Sequence, residues 1–130
     1  PLLVKTWRKP PLCFKRFLML TKCTQAKKKQ FSLAKEMFFL IGNIWLCIME
    51  GDPLAERTYN HIAFQIAEAD VELYKSKVIA SGAELRPGRS RVEGEGQSIY
   101  FYDFDNHLFE LHTGTLQDRQ KDTQYETISC

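Results

Sequence analysis

Alternation of apolar and polar positions picks out the last third of the chain first. Two runs, Ser98-Ile99-Tyr100-Phe101-Tyr102 and His107-Leu108-Phe109-Glu110-Leu111-His112, have strand character. They flank Asp103-Phe104-Asp105-Asn106, which has the composition of a tight turn. In the second run His107, Phe109 and Leu111 share one face, while Leu108, Glu110 and His112 share the other. Upstream, Asn60-His61-Ile62-Ala63-Phe64-Gln65-Ile66 reads as a strand with His61, Ala63 and Gln65 on one face. Residues 68–80 switch to helical spacing, with Val71, Tyr74, Val78 and Ile79 as the buried stripe and Gly82 as the stop. Ala83-Glu84-Leu85 leads into a short strand ending near Pro87-Gly88, and residues 89–97 form a polar loop containing glycine. The predicted order is β-α-β-β-β.

Nearer the start the pattern weakens. Phe31-Ser32-Leu33 has the makings of a short strand, and residues 38–41 and 44–49 read as two buried strands around a Gly42-Asn43 turn. Glu36 interrupts this apolar ground beside Lys35, and an exposed loop ion pair accounts for it equally well on composition alone. Gly51-Asp52-Pro53 marks a module boundary. Residues 1–30 are weakly organised, because Pro10-Pro11 breaks any helix begun at Lys5 and residues 13–20 are apolar without clean periodicity. Residues 120–130 read as a polar, frayed tail.

Composition narrows the class. A chain of 130 residues makes one domain or two small modules sharing a core. Its hydrophobic content of 44% is ordinary for a globular protein. No apolar run approaches the roughly 18 residues that span a bilayer, so no membrane partner is expected. The start lacks the order of a secretory signal. Cys13, Cys23, Cys47 and Cys130 show no CxxC spacing, which points to a reduced, cytoplasmic setting.

The net charge of +2 hides a split. Residues 1–30 hold nine Lys or Arg and no acidic residue; residues 31–130 hold nine basic and sixteen acidic, a net of −7. A basic block such as Lys27-Lys28-Lys29 neutralises phosphates, yet no aromatic platform or binding module accompanies it. A solvated arm, without a nucleic-acid partner, is the expectation.

The chemistry centres on Glu110. A carboxylate between Phe109 and Leu111 is costly to desolvate unless something cationic meets it. In a β-α-β-β-β module the first and last strands lie close enough for His61 and Glu110 to converge. One imidazole nitrogen and one carboxylate oxygen suit a divalent ion such as Mn, Fe, Zn or Ni. Taken singly, His61 reads as a hydrogen-bonded core histidine and Glu110 as a solvent-facing strand carboxylate; together they point toward metal, with a third ligand from elsewhere. His107 and His112 read as outer or surface residues, and His112, on the face of Glu110, is the better outer partner.

A resemblance then becomes specific. Tyr59-Asn60-His61-Ile62-Ala63-Phe64, Gly94-Glu95-Gly96-Gln97-Ser98-Ile99-Tyr100-Phe101-Tyr102-Asp103 and Asn106-His107-Leu108-Phe109-Glu110-Leu111-His112-Thr113-Gly114-Thr115-Leu116 closely resemble the fosfomycin-resistance proteins of the vicinal oxygen chelate superfamily. The likeness runs from about Phe31 to Arg119, and Phe31-Ser32-Leu33-Ala34-Lys35-Glu36 resembles the hydrolase subgroup, which opens the epoxide with water. The thiol-transferring subgroups use glutathione or bacillithiol instead. The resemblance implies an α+β fold of paired βαβββ modules, the second complete over 53–119 and the first, around 31–52, divergent or truncated. It also implies a homodimer whose metal sites, loaded with manganese, take residues from both chains. By position, the resemblance makes His61 and Glu110 two of three metal ligands and Glu36 the general base. Arg119 meets the substrate phosphonate, Tyr100 belongs to the same pocket, and Arg91 adds positive charge from its loop. A metal-free drug-binding module of the same fold is an alternative that His61 and Glu110 argue against.

The chain departs from the family at its start. The family's first metal histidine would fall just before Pro1, and residues 6–30 do not match the acidic amphipathic helix expected there. Codons for residues 4–29 read two bases later permit a charge-balanced helical string similar to the family's segment. A frame-shifted remnant of the first βα unit therefore accounts for the basic residues 1–30, and weak or absent hydrolysis is expected of the chain as written.

Overall fold

The same strand order occurs twice. The computed structural model describes residues 2–5, 22–25, 34–88 and 94–118. The first sheet contains β1 (Leu2–Val4), β2 (Lys22–Gln25), β3 (Glu36–Ile41) and β4 (Ile44–Glu50), in the order β1-β4-β3-β2. The second contains β5 (His61–Gln65), β6 (Glu84–Arg86), β7 (Ser98–Tyr102) and β8 (Leu108–His112), in the order β5-β8-β7-β6. In each sheet the first strand runs parallel to the last and the other pairs are antiparallel. A parallel pair requires a crossover. In the second sheet the crossover is a turn of 3-10 helix (Glu68–Asp70) continued by α1 (Val71–Ser81). This is an α+β fold of paired βαβββ topology.

Local sequence sets the corners. β3 and β4 pair from Ile41 opposite Ile44, so Gly42 and Asn43 make a two-residue turn, with Gly42 at φ +56°. α1 ends at Gly82, in the left-handed region at φ 79°, whose N–H closes on the Ile79 carbonyl. In the β7–β8 hairpin, Asp103 Oδ1 accepts the N–H groups of Asp105 and His107, and Asn106 takes φ 66°.

Alternation sends one face of the second sheet into the core. Phe109 stacks between Phe101 at 5.6 Å and Phe64 at 6.5 Å, and Ile99 and Leu111 share this layer. Val71, Tyr74 and Val78 of α1 join the same cluster, as do Val4, Met37, Phe39, Leu46 and Ile48 of the first sheet. Each such side chain stabilises the fold by about 1.5–3 kcal/mol. The Lys5 N–H donates to Asp105 Oδ1 at 3.1 Å, tying the end of β1 to the β7–β8 hairpin.

The structure corrects three expectations. Ile79 is 58% exposed, because it lies a further 100° round the helix from Val78 and leaves the stripe. Glu36 opens β3 instead of sitting in a loop, and the partner of Lys35 is Glu50, at 3.7 Å. Lys22–Gln25 forms an edge strand paired with β3, although its sequence carries no alternation. Backbone pairing to an established neighbour supplies what the side chains do not. The first sheet has four strands among the described residues, with β1 and β2 inside the basic segment 1–30. Residues 6–21 and 26–33, with the strand expected at Phe31-Ser32-Leu33 and most of the basic segment, lie outside the described residues, as does the tail. No helix among the described residues is long and apolar enough to cross a membrane.

Candidate metal and substrate site

Register builds the site on the second sheet's other face. β5 and β8 pair His61 with Leu108 and Ala63 with Glu110. β7 sets Tyr100 opposite Glu110 and Ser98 opposite His112, and β6 sets Arg86 opposite Tyr100. His61, Glu110, Tyr100, Ser98, His112 and Arg86 therefore share one face, while Phe64, Phe101 and Phe109 hold it rigid from behind.

His61 and Glu110 meet. Nε2 lies 3.0 Å from Glu110 Oε2, and Nδ1–H donates to the Tyr59 carbonyl at 2.9 Å. That second bond fixes the tautomer, so in the neutral ring the Nε2 lone pair faces a carboxylate oxygen. Two acceptors face to face call for a cation between or beside them. A divalent ion is such a cation. The pair also fits such an ion by distance: donors held at about 2.0–2.2 Å and at right angles lie about 3 Å apart. A carbonyl on the far ring nitrogen is the usual outer support of a metal-bound histidine. The His61 side chain keeps 24% of its surface exposed against 5% for Glu110, so the pair is open on one side. Among the described residues no third His, Cys, Asp or Glu joins them.

Glu110 is held as a carboxylate. Burial by itself raises its pKa, but hydrogen bonds from Ser98 and Tyr100 and the nearby His112 and His61 outweigh burial, so the carboxyl titrates below its ordinary value. Ser98 Oγ donates to Oε1 at 2.5 Å and lies 2.8 Å from His112 Nδ1. His112 thus supports Glu110 through Ser98. The sequence reading missed Ser98, although its position opposite His112 on Glu110's face was the available signal. His107 stays off this face, buried against Asp103 Oδ2 at 2.8 Å inside the hairpin.

Tyr100 meets the His61 ring edge-on at 5.8 Å and lines a 280 Å³ pocket with Tyr59, Arg86, Tyr102 and Leu108. Glu36 stands apart, on β3 of the first sheet, where it is half-buried opposite Met49. The structure does not bring it to His61 and Glu110 within one chain. Arg91 and Arg119 lie outside the described residues.

Two β-α-β-β-β sheets, with an imidazole and a carboxylate converging from the first and last strands of one, define a protein of the vicinal oxygen chelate class. No family model matches the chain. It is 52% identical over 120 residues to the fosfomycin resistance protein FosX of Listeria monocytogenes, covering 92% of this chain and 90% of that protein. It is 42% identical over 90 residues to the metallothiol transferase FosB of Shouchella clausii, covering 65% of this chain and 62% of the relative. The crystal structure of a mutant of Listeria monocytogenes FosX, complexed with Mn(II) and 1S,2S-dihydroxypropylphosphonic acid, superposes with a TM-score of 0.82 at 50% identity, covering 93% of this chain and 91% of that one. The chain belongs to the FosX family of fosfomycin resistance proteins.

Proposed function

We propose that this protein is a divalent-metal-dependent hydrolase that opens the epoxide of fosfomycin with water to give the vicinal diol. The observation that carries the reading is the His61 lone pair facing the ionised Glu110 across 3.0 Å, an arrangement that a metal ion satisfies. Mn(II), the ion bound to the Listeria relative, is the assigned metal. When bound, the ion supplies Lewis acidity to the departing ring oxygen and charge to meet the phosphonate. Thiol transfer, the chemistry named in the FosB relatives, is the runner-up. The dihydroxypropylphosphonate on the Listeria relative favours water, because it is the compound that water addition to the epoxide yields.

The chain's own residues divide the remaining work. His61 and Glu110 orient the centre, Ser98 and His112 keep the carboxylate ionised, and Tyr100 walls the substrate. Arg119 and Arg91 hold the phosphonate through charge-assisted hydrogen bonds. Glu36 takes a proton from the attacking water as the new C–O bond forms and the ring C–O bond breaks; the released alkoxide is then protonated from solvent.

Glu36 reaches the centre from a second copy. The outer face of the first sheet carries Leu3, Phe38, Leu40, Trp45 and Met49 beside Glu36, and Trp45 is 74% exposed. In a homodimer this apolar face closes over the second sheet's site, so Glu36 of the partner subunit serves as the base and the module at 53–119 supplies the ligands. Cysteines without framework spacing fit a cytoplasmic setting.

Phosphorus NMR of fosfomycin with the protein and Mn(II), with and without glutathione or bacillithiol, tests the reading. Diol without thiol is the expected product, formed only weakly by the chain as written. An adduct formed only with thiol replaces hydrolysis by transfer, and a bound but unchanged epoxide replaces catalysis by sequestration.

A further inference from the structure

A single row of residues, Ala63, Glu110, Tyr100 and Arg86, runs across the second sheet, each registered against the next. Strands lie about 4.8 Å apart, so Arg86 stands roughly 10 Å from Glu110 on the same face. A 280 Å³ pocket lies along this edge, lined by Tyr59, Tyr100, Tyr102, Leu108 and Arg86. At its inner end the rings of Tyr59 and Tyr100 both meet His61 edge-on, at 5.3 and 5.8 Å. At its outer end is Arg86, whose guanidinium lies 5.8 Å from the centre of the Tyr102 ring.

Two arginines occupy this edge, and they are not equivalent. Arg57 gives both fork nitrogens to Glu84, at 2.8 and 2.7 Å, and lies over Tyr102 at 4.6 Å. It thereby occupies both oxygens of the Glu84 carboxylate. Arg86 is left with a 3.9 Å contact to the same group, too long for a hydrogen bond. Among the described residues Arg86 lines a cavity without a hydrogen-bonded carboxylate of its own, and such a guanidinium is suited to an oxyanion, which it grips through two parallel N–H donors. The aromatic walls between it and His61 suit an apolar or flat connecting group.

We propose that Arg86 and its tyrosine-walled pocket form a second, anion-binding subsite, through which the protein accepts phosphonates bearing a second oxyanion on an apolar or aromatic spacer. The proposal rests on the reading of His61 and Glu110 as the phosphonate and metal centre and names a wider substrate class for it.

Calorimetric titration of the Mn(II)-loaded full chain with three probes tests it: methylphosphonate, benzylphosphonate and 4-carboxybenzylphosphonate. The carboxylated probe is expected to bind about tenfold tighter than benzylphosphonate, the scale of one charge-assisted contact. Arg86→Gln removes that advantage and leaves methylphosphonate affinity unchanged, while Arg86→Lys retains part of it. Equal binding of the two aryl probes by the wild type overturns the subsite, as does an advantage that survives Arg86→Gln. Failure of the wild type to bind methylphosphonate overturns the central reading, and the subsite with it. Arg86 is half-exposed on an edge strand, so unchanged thermal unfolding of both variants is the expected control.

Discussion

Glu110 reaches His61 from two positions beyond that residue's own cross-strand partner. His61 is registered with Leu108, yet the 3.0 Å contact runs diagonally to Glu110. Only the parallel pairing of β5 with β8 places these residues, 49 apart in sequence, on one face with their side chains leaning together. The α1 crossover makes that pairing possible, so a helix remote from the site determines its geometry.

Removing either member of the pair should weaken metal binding while leaving the fold. His61→Ala and Glu110→Gln are expected to weaken Mn(II) binding on the order of 100-fold or more, since even outer supports cost 10–100-fold. Titration followed by electron paramagnetic resonance measures this. His107→Ala is the contrast: its ring bonds Asp103 within the hairpin. Its loss should cost about 1–3 kcal/mol of stability and leave Mn(II) affinity unchanged.

Most of the second sheet was legible because its alternation is strong. The faces of residues 107–112, the Val71, Tyr74 and Val78 stripe and the Gly82 stop all stand in the structure as the pattern implies. The meeting of His61 with Glu110 was legible only through topology, since nothing local to either residue announces the other. Lys22–Gln25 was not legible, because an edge strand that borrows its order from β3 needs no alternation of its own. Arg57 and Glu84 escaped notice for a related reason: their bidentate pairing joins a loop to an edge strand, 27 residues apart, and leaves no periodic trace.

Glu36→Gln separates base chemistry from binding. A general base contributes roughly 10²–10⁴-fold, so diol formation should fall by that factor. Mn(II) affinity should not change, because Glu36 acts on the attacking water without ligating the ion, and Gln keeps its size. Full turnover by the variant would remove Glu36 from the mechanism.

Acid should destabilise the metal-free chain partly through Glu110. Its carboxyl titrates below the ordinary 4.5, burial being outweighed by Ser98, Tyr100, His112 and His61. A depressed carboxyl contributes stability that is fully present above its unfolded pKa and is lost as pH falls through the folded one. Urea midpoints measured across that window should therefore drop below about pH 4.5 in the wild type and drop less in Glu110→Gln. Identical acid profiles would contradict the assignment.

Trp45→Glu tests the apolar face of the first sheet. Trp45 packs its ring on Phe38 at 5.2 Å, and both lie with Leu40 on the side away from the core. A carboxylate placed there is still solvated in an isolated chain, so folding should be little affected. Buried against a second copy it would be desolvated without a partner, a cost of several kcal/mol. Analytical ultracentrifugation should show the wild type as a dimer and the variant as a folded monomer. A dimeric variant would place the interface elsewhere and leave Glu36 without its route to the site.

Phe109→Ala addresses what holds the site's backing rigid. Phe109 is fully buried and touches Phe64 and Phe101 on either side, so its removal opens a cavity that neither neighbour can fill without leaving its own rotamer. Such truncations cost about 3–5 kcal/mol. Because Phe109 immediately precedes Glu110 on β8, with its side chain on the opposite face, the relaxation should also misplace the carboxylate. The expected outcome is a lower urea midpoint together with weakened Mn(II) binding. Phe104→Ala, at a 42% exposed hairpin position, should change neither appreciably. Equal losses in the two variants would mean that the aromatic layer is not what fixes Glu110 in place.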